Sequence, residues 1–493
     1  MDVRTETQLP HSTPEAQGVP SSAILDFVAA VEDQIDALHG FVLVRHGHIV
    51  AQGAWAPHGV DSQRTMFSLS KSFTSSGVGL AVADGRLSVD DPVLSFFPDE
   101  APEQVSENLA KMRVRDLLTM TSGHDADTLP AIHRESDTNW AQTILAQPVD
   151  HEPGTHFVYN SGASYLLSTI VQRVTGERLL DYLRPRLLEP LGITDATWET
   201  CPRGINTGGW GLSIRLSEVA RFGQMYLQGG AWRGQQVLPR AWVAEATARQ
   251  VSNDNRTETD WRQGYGYQFW RARHGAYRGD GAFGQYCLVM PEQDAVLAII
   301  SGVSNMQAVL DLVWEHLLPA MGGAALPEDG ETNVRLRGRL DALALPGPAG
   351  EPASSVAERI SGTKYHVRAE QPTNQPARRV GLAGRQVETI TLVAGPEEYR
   401  LTVADNLGVH EVVAATDEWR LGESSLLRGS DEPVAARAAW TDEGTCAIRV
   451  VLLRAPFIFT LTLGFEDEQV TLRAAGNVSF DAAEPVSVVG HRD

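Results

Sequence analysis

The stretch TMFSLSKSFTSS, residues 65–76, decides how this chain is read. Lysine is scarce. Of 41 basic residues only Lys71, Lys111 and Lys364 are lysine, and the rest are arginine. One of the three stands three residues after Ser68, among small hydroxyl residues and beside Phe67, Leu69 and Phe73. Arginine keeps its proton at neutral pH, whereas a buried lysine can release it. If 67–83 is a helix, residues i and i+3 share a face, so Lys71 lies one turn below the Ser68 hydroxyl. Burial between apolar neighbours lowers an amine pKa toward neutrality. A neutral amine there takes the hydroxyl proton as serine attacks a carbonyl. A helix start at Ser68 also points a backbone N–H at developing negative charge. Ser-x-x-Lys nucleophile chemistry is the expectation.

Spacing alone carries little weight, because the motif occurs twice. The second copy, SGTK at 361–364, contains Gly362, sits at the entry to a strand and has no buried helix to hold it. Lys364 is therefore read as a surface residue.

The 493 residues suffice for two or three domains and at least one large core. A hydrophobic content of 42% with 21% charged residues fits an ordinary globular protein. The formal net charge of −21 provides no basic surplus to offset phosphate. Neither nucleic acid nor an anionic membrane is an expected partner. The N-terminal MDVRTETQLPHSTPEAQGVPSS is polar and lacks an apolar signal core, so a cytoplasmic location is expected. No apolar run approaches the roughly 18 residues of a membrane span. Cys201, Cys287 and Cys446 are far apart and odd in number, which suggests neither a disulfide framework nor a metal cluster. His46 and His48 sit on a turn without acidic or cysteine companions at ligand spacing. No metal and no cofactor is expected.

The strongest linker signal is LALPGPAGEPASSVAE, residues 343–358. Helical and strand patterns mix before it; short strands broken by turns follow. The expected division is a domain over 1–340, a linker over 341–355 and an all-β domain over 356–493. Within the first domain, GFVLVRHGHIVAQGAW (40–55) reads as a hairpin turning at His46-Gly47. Segment 67–85 reads as a buried helix that stops at Asp84-Gly85, its small residues admitting close neighbours. Segments 162–177 and 217–230 read as further helices, the second capped by Ser217. Segment 284–302 reads as two antiparallel strands joined at 291–294.

Around this scaffold the chain resembles the serine hydrolases that include β-lactamases, penicillin-binding proteins and related esterases. The resemblance covers most of residues 10–320. It rests on FSLSKSF, DGRLSVDDPV, VRDLLTMTSG, EPGTHFVYNSGASYLLS, GGWGLSIRLSEVARFGQMYLQGG and GAFGQYCLVMPEQDAVLAIISG, in the family's order. Within the family, GAFGQ looks most similar to 6-aminohexanoate-dimer-hydrolase-like members. The resemblance implies an α+β, β-lactamase/transpeptidase-like fold: an antiparallel sheet flanked by helices, with a helical subdomain. Ser68 and Lys71 match nucleophile and base. Tyr159, in FVYNSG, matches the Tyr-x-Asn element, where the phenol assists proton transfer. Ser161 stands where the family usually has Asn; its hydroxyl can still hydrogen-bond a substrate amide.

The third family element aligns with Gly279-Asp280-Gly281. It would place the Ala282 N–H opposite that of Ser68, as the second oxyanion donor. Penicillin-recognising members hold the substrate carboxylate with a cation of this element. Here Gly279 has no side chain and Asp280 is negative. Repulsion between carboxylates predicts poor β-lactam hydrolysis. A neutral ester or amide, or one with a cationic amine near Asp280, fits better. Asp280 and Gly281 are therefore candidate substrate contacts. Trp140, in the long polar segment 123–142, is a candidate wall of the acyl pocket. Trp210, in TGGWGLS, precedes a stretch that borders the family's site. Gly-x-Ser-x-Gly, His-Glu-x-x-His, the P-loop and the Rossmann fingerprint are absent.

The expectation is a serine hydrolase acting on a small ester or amide through an acyl-enzyme. A D-amino-acid peptidase or amidase and a catalytically silent binding or sensor protein remain as alternatives. The C-terminal domain is expected to cover the catalytic domain, join copies of the chain into a homo-oligomer, or narrow access to the cleft.

Overall fold

In the computed structural model, which describes residues 8–132, 138–367, 381–480 and 485–492, the N-terminal domain is organised by a six-stranded antiparallel sheet. Its strands are β1 (Leu38–Arg45), β2 (His48–Ala54), β3 (Trp270–Arg271), β4 (Tyr277–Gly281), β5 (Gln285–Met290) and β6 (Ala295–Ser301), in the order β2-β1-β6-β5-β4-β3. Strands β1, β4, β5 and β6 are buried throughout, as expected of apolar runs such as FVLV and AVLAII. Side chains alternate between faces. Phe41 and Leu43 join the core beneath helix α1 (Ser21–Gln34), whereas Val42 and Val44 join the core on the opposite face. Both predicted hairpins are present. The first turns at His46 and Gly47, each at positive φ, the geometry that suits two-residue hairpin loops.

Three helices form the second face: α2 (Ser70–Ala83), α3 (Ser161–Thr175) and α4 (Leu216–Leu227). The small residues of α2 work as expected. A Cβ on Gly77 would lie 2.6 Å from Leu179, and one on Gly79 2.5 Å from Trp242. Phe73 of α2 stacks on Phe222 of α4 with ring centroids 3.9 Å apart, a contact worth about 1 kcal/mol beyond its burial. Two local expectations are corrected. Ser68 precedes α2, in a 3-10 turn over Phe67–Leu69. Helix α4 begins at Leu216 and is capped from Arg215, whose N–H donates to Glu218 Oε2 at 2.8 Å; Ser217 lies inside the first turn. The glutamate three residues into the helix captures that N–H, so the serine hydroxyl is not needed as a cap.

Among the described residues, the C-terminal domain has ten strands after one short helix, Ser355–Ile360. They are β7 (Lys364–Val367), β8 (Val387–Ala394), β9 (Glu398–Asp405), β10 (Gly408–Ala415), β11 (Arg420–Ser424), β12 (Glu432–Trp440), β13 (Thr445–Leu452), β14 (Ile458–Glu466), β15 (Gln469–Gly476) and β16 (Val486–Arg492). The order is β10-β9-β8-β7-β16-β15-β14-β13-β12-β11, and a further pairing of β10 with β12 closes the sheet into a barrel. Inward residues of β9 and β14 alternate with outward ones, as a barrel requires.

The linker is tied down at both ends. Leu343 O and Leu345 N bond the backbone of Ala56, and Glu351 pairs with Trp440 of the barrel. The two domains also meet directly beside residue 68. Thr65 N donates to Arg454 O at 3.0 Å, Arg64 Nη2 to Ala455 O at 3.1 Å, and Asn477 Nδ2 to Gly302 O at 2.8 Å. Arg64 is fully buried and donates to His39 and His58, both held neutral by burial and by that guanidinium. Among the described residues, no helix is long and apolar enough to cross a membrane.

Candidate active site

Ser68 is half-buried in the 3-10 turn, and Lys71 is the first-turn residue of α2 whose amine reaches back to it. Lys71 is 1% exposed. Its Nζ lies 3.0 Å from Ser68 Oγ, 3.2 Å from Ser161 Oγ and 2.8 Å from Gly209 O. Burial pushes its pKa down to about 7, while the carboxylates of Asp127 and Asp280 pull it back up. At that value about half of the amine is neutral at pH 7. A neutral amine has two N–H donors and one lone pair. Gly209 O and Ser161 Oγ accept the two donors, and the lone pair is left for the Ser68 hydroxyl proton.

Tyr159 comes from the segment leading into α3. Asn160 is that helix's N-cap: its Oδ1 accepts from Gly162 N at 3.0 Å and from Thr128 Oγ1 at 2.9 Å. The cap fixes the chain direction, so Tyr159 and Ser161 both face Lys71. The Lys71 amine sits 4.7 Å from the Tyr159 ring centroid. The phenol is within hydrogen-bonding reach of Ser68; burial raises its pKa, so it stays protonated at neutral pH. Trp270 stacks on the ring at 5.2 Å and Tyr265 meets it edge-on at 6.4 Å.

Strand β4 runs beside the 3-10 turn that carries Ser68. A Cβ on Gly281 would lie 2.2 Å from Met66 O, and one on Gly279 2.9 Å from Ser72 Oγ. Glycine at these positions lets β4 approach close enough to bring Ala282 beside Phe67-Ser68. Asp280 does not project freely into this space. It is 7% exposed and accepts from Arg278 Nε at 3.0 Å, two residues back on the same strand. Burial raises its pKa to about 6 against the lowering effect of Arg278. Trp140 is buried and stacks on Trp210 with centroids 6.1 Å apart; Trp210 is half-buried and donates to Glu199 Oε2 at 3.2 Å.

Sequence reasoning missed two contributors. Gly209 supplies the carbonyl nearest Lys71, and a Cβ on it would lie 3.4 Å from Nζ. The glycine pair before Trp210 was the available signal. Asp127 accepts from Ser161 N at 2.9 Å and Leu129 N at 3.0 Å, and its charge acts on Lys71. It sits in the polar segment 123–142, of which 133–137 lie outside the described residues; spacing gave no hint of its place. Nearby, Asp125, His151 and His156 bring metal-ligating atoms within 4.8 Å of one another. His151 pairs with Asp125 at 3.2 Å.

The family model described as Beta-lactamase matches residues 28–311, more than half of the chain. The chain belongs to the Beta-lactamase family. The match spans every residue of the site just described. A 6-aminohexanoate-dimer hydrolase of Paenarthrobacter ureafaciens is 25% identical over 312 residues, 59% of this chain and 79% of that protein. A candidate D-alanyl-D-alanine carboxypeptidase of Escherichia coli strain K12 is 23% identical over 224 residues, 40% of this chain. Those residues span about half of that relative's length, 52%. Among solved structures, a candidate β-lactamase from Bacteroides dorei superposes with a TM-score of 0.51 at 18% identity. It covers 60% of this family member and 99% of that chain. The likeness shows the fold, which is the β-lactamase/transpeptidase-like one followed by the barrel.

Proposed function

We propose that this β-lactamase-family hydrolase cleaves a small ester or amide through an acyl-enzyme on Ser68. The observation that carries the reading is the set of three partners around a buried Lys71 whose pKa falls near neutrality. Lys71 takes the Ser68 proton as Oγ attacks the substrate carbonyl. The N–H groups of Ser68 and Ala282 stabilise the oxyanion. Collapse of the tetrahedral intermediate breaks the bond to the leaving alcohol or amine, which receives the proton through Lys71 and Tyr159. Water, deprotonated by the same pair, then attacks the ester carbonyl and releases acid and free Ser68. The balance closes without a cofactor.

Arg278 engages Asp280 within the strand. The pair presents neither a free cation for a substrate carboxylate nor a free anion for an amine. Neutral substrates fit better than β-lactams, and slow nitrocefin turnover is expected. The relative that hydrolyses 6-aminohexanoate dimers supports an amide as readily as an ester. Intact mass after fluorophosphonate treatment tests the reading. One adduct on the wild type, absent from Ser68→Ala, supports it; no adduct on a folded protein favours a silent binding scaffold. Release of D-alanine from a D-Ala-D-Ala peptide, faster than cleavage of any neutral ester or amide, would move the substrate class to the peptidase.

A further inference from the structure

The residues that flank the two oxyanion donors break a backbone rule in the same way. Phe67 precedes Ser68 and has a φ of +46°; Phe283 follows Ala282 and has a φ of +66°. Bulky residues rarely occupy the left-handed region, and where they do the strain clusters at functional sites. The two rings meet edge to face at 5.9 Å. The barrel adds two more. Phe457 lies 5.7 Å from Phe283 and 6.4 Å from Phe67. Phe480 lies 4.7 Å from Phe283 and 5.8 Å from Phe67. Phe283 and Phe457 are buried, but Phe480 is 69% exposed although it packs on both rings of the catalytic domain. Phe480 thus presents most of an aromatic ring to solvent beside the residues that flank Ser68 and Ala282.

The site has two chemically distinct ends. Tyr159 packs into the core with Trp270, Tyr265 and Phe157. Phe67, Ala282 and Phe283 pack with the barrel core. A leaving group must collect its proton from Tyr159 and Lys71, so it lies at the Tyr159 end. The oxyanion faces the Ser68 and Ala282 N–H groups, which leaves the acyl substituent the side away from Tyr159, where the phenyl rings stand. We propose that Phe480, with Phe67 and Phe283, forms an acyl subsite for an apolar group, aliphatic or aromatic, and that the barrel completes the substrate pocket of the N-terminal domain. The proposal rests on the hydrolase reading given above. It assigns the second domain a direct part in specificity.

The test compares kcat/KM for p-nitrophenyl hexanoate and p-nitrophenyl acetate in the full chain. In Phe480→Ala the hexanoate-to-acetate ratio is expected to fall on the order of tenfold, the scale on which apolar pockets discriminate. Phe480→Leu should recover most of the ratio. Leu421→Ala, which removes a barrel side chain that is 62% exposed, should leave the ratio unchanged. A ratio unaltered in Phe480→Ala, or altered equally by Leu421→Ala, overturns the subsite. The fluorophosphonate adduct separates the two failures. With the adduct present and the ratio unaltered, only the subsite falls. With no adduct on Ser68 and no ester turnover, the hydrolase reading falls and takes the subsite with it.

Discussion

Ser68-x-x-Lys71 and Ser361-x-x-Lys364 have the same spacing, and both lie at the start of an element. Lys71 is buried at the start of a helix between α3 and the loop around Gly209, with three hydrogen-bond partners. Lys364 is exposed at the first position of a strand that alternates exposed and buried residues. Ser361 Oγ accepts from Ala394 N at 3.0 Å, which ties it to strand β8, and the chain turns next at Gly362 with positive φ. Spacing alone therefore does not make a nucleophile. In the first copy a helix turn points two side chains the same way, and packing removes water from the amine. In the second, a turn and an extended strand send them apart.

The largest expected effects break the first copy and spare the second. Ser68→Ala and Lys71→Ala should each lower ester turnover by a factor on the order of 10,000 or more. Ser361→Ala and Lys364→Ala should stay within about twofold of the wild type, since surface changes rarely matter. Parallel assays of the four variants decide it, and a loss of similar size in the second copy would remove the distinction. Next comes Tyr159→Phe, which keeps the ring stacked on Trp270 and deletes the proton relay. A fall in kcat of about 100-fold to 1,000-fold is expected, in the range of general acid–base catalysis.

A smaller effect sharpens the role of close packing at the first copy. Gly281→Ala puts a methyl group 2.2 Å from Met66 O and pushes β4 from the nucleophile turn. Urea denaturation should show a loss of about 1–3 kcal/mol, the usual cost of overpacking, together with lowered activity. Gly464→Ala in the barrel meets nothing within 4 Å and serves as the control. The smallest effect is on pH. The mechanism needs neutral Lys71, whose pKa is about 7. kcat/KM should rise with pH through that value and level off above it. The Asp127 carboxylate holds the Lys71 pKa up, so Asp127→Asn should move this acid limb to lower pH. A limb that stays near pH 4, or that Asp127→Asn shifts upward, would show that another group titrates.

Much of this was legible along the chain. The hairpins at 46–47 and 291–294, the helices carrying Lys71 and Ser161, and the change to short strands after 355 follow from local periodicity and turn residues. These signals act between near neighbours, so a sequence displays them. The cap of α4 was misread because the helix starts one residue before the serine, where Glu218 accepts from the Arg215 N–H. Asp280 was legible as a charge beside the site; its burial against Arg278 was not, since only the strand's packing against Trp261 and Trp270 fixes that geometry.

By itself, the sequence singled out Ser68, Lys71, Tyr159 and the glycines that border them, because each is a residue type that the proposed chemistry or a tight approach demands. Only the tertiary structure decided that Gly209 and Ser161 take the two N–H donors of the amine, and that Asp127 lies close enough to tune it. The tertiary structure also decided that a barrel whose first strand begins 296 residues after Ser68 (364 − 68) lays Phe457 and Phe480 against the ring next to it. Those contacts join positions remote in the chain, and no local pattern encodes them; they arise where the cores of the two domains meet.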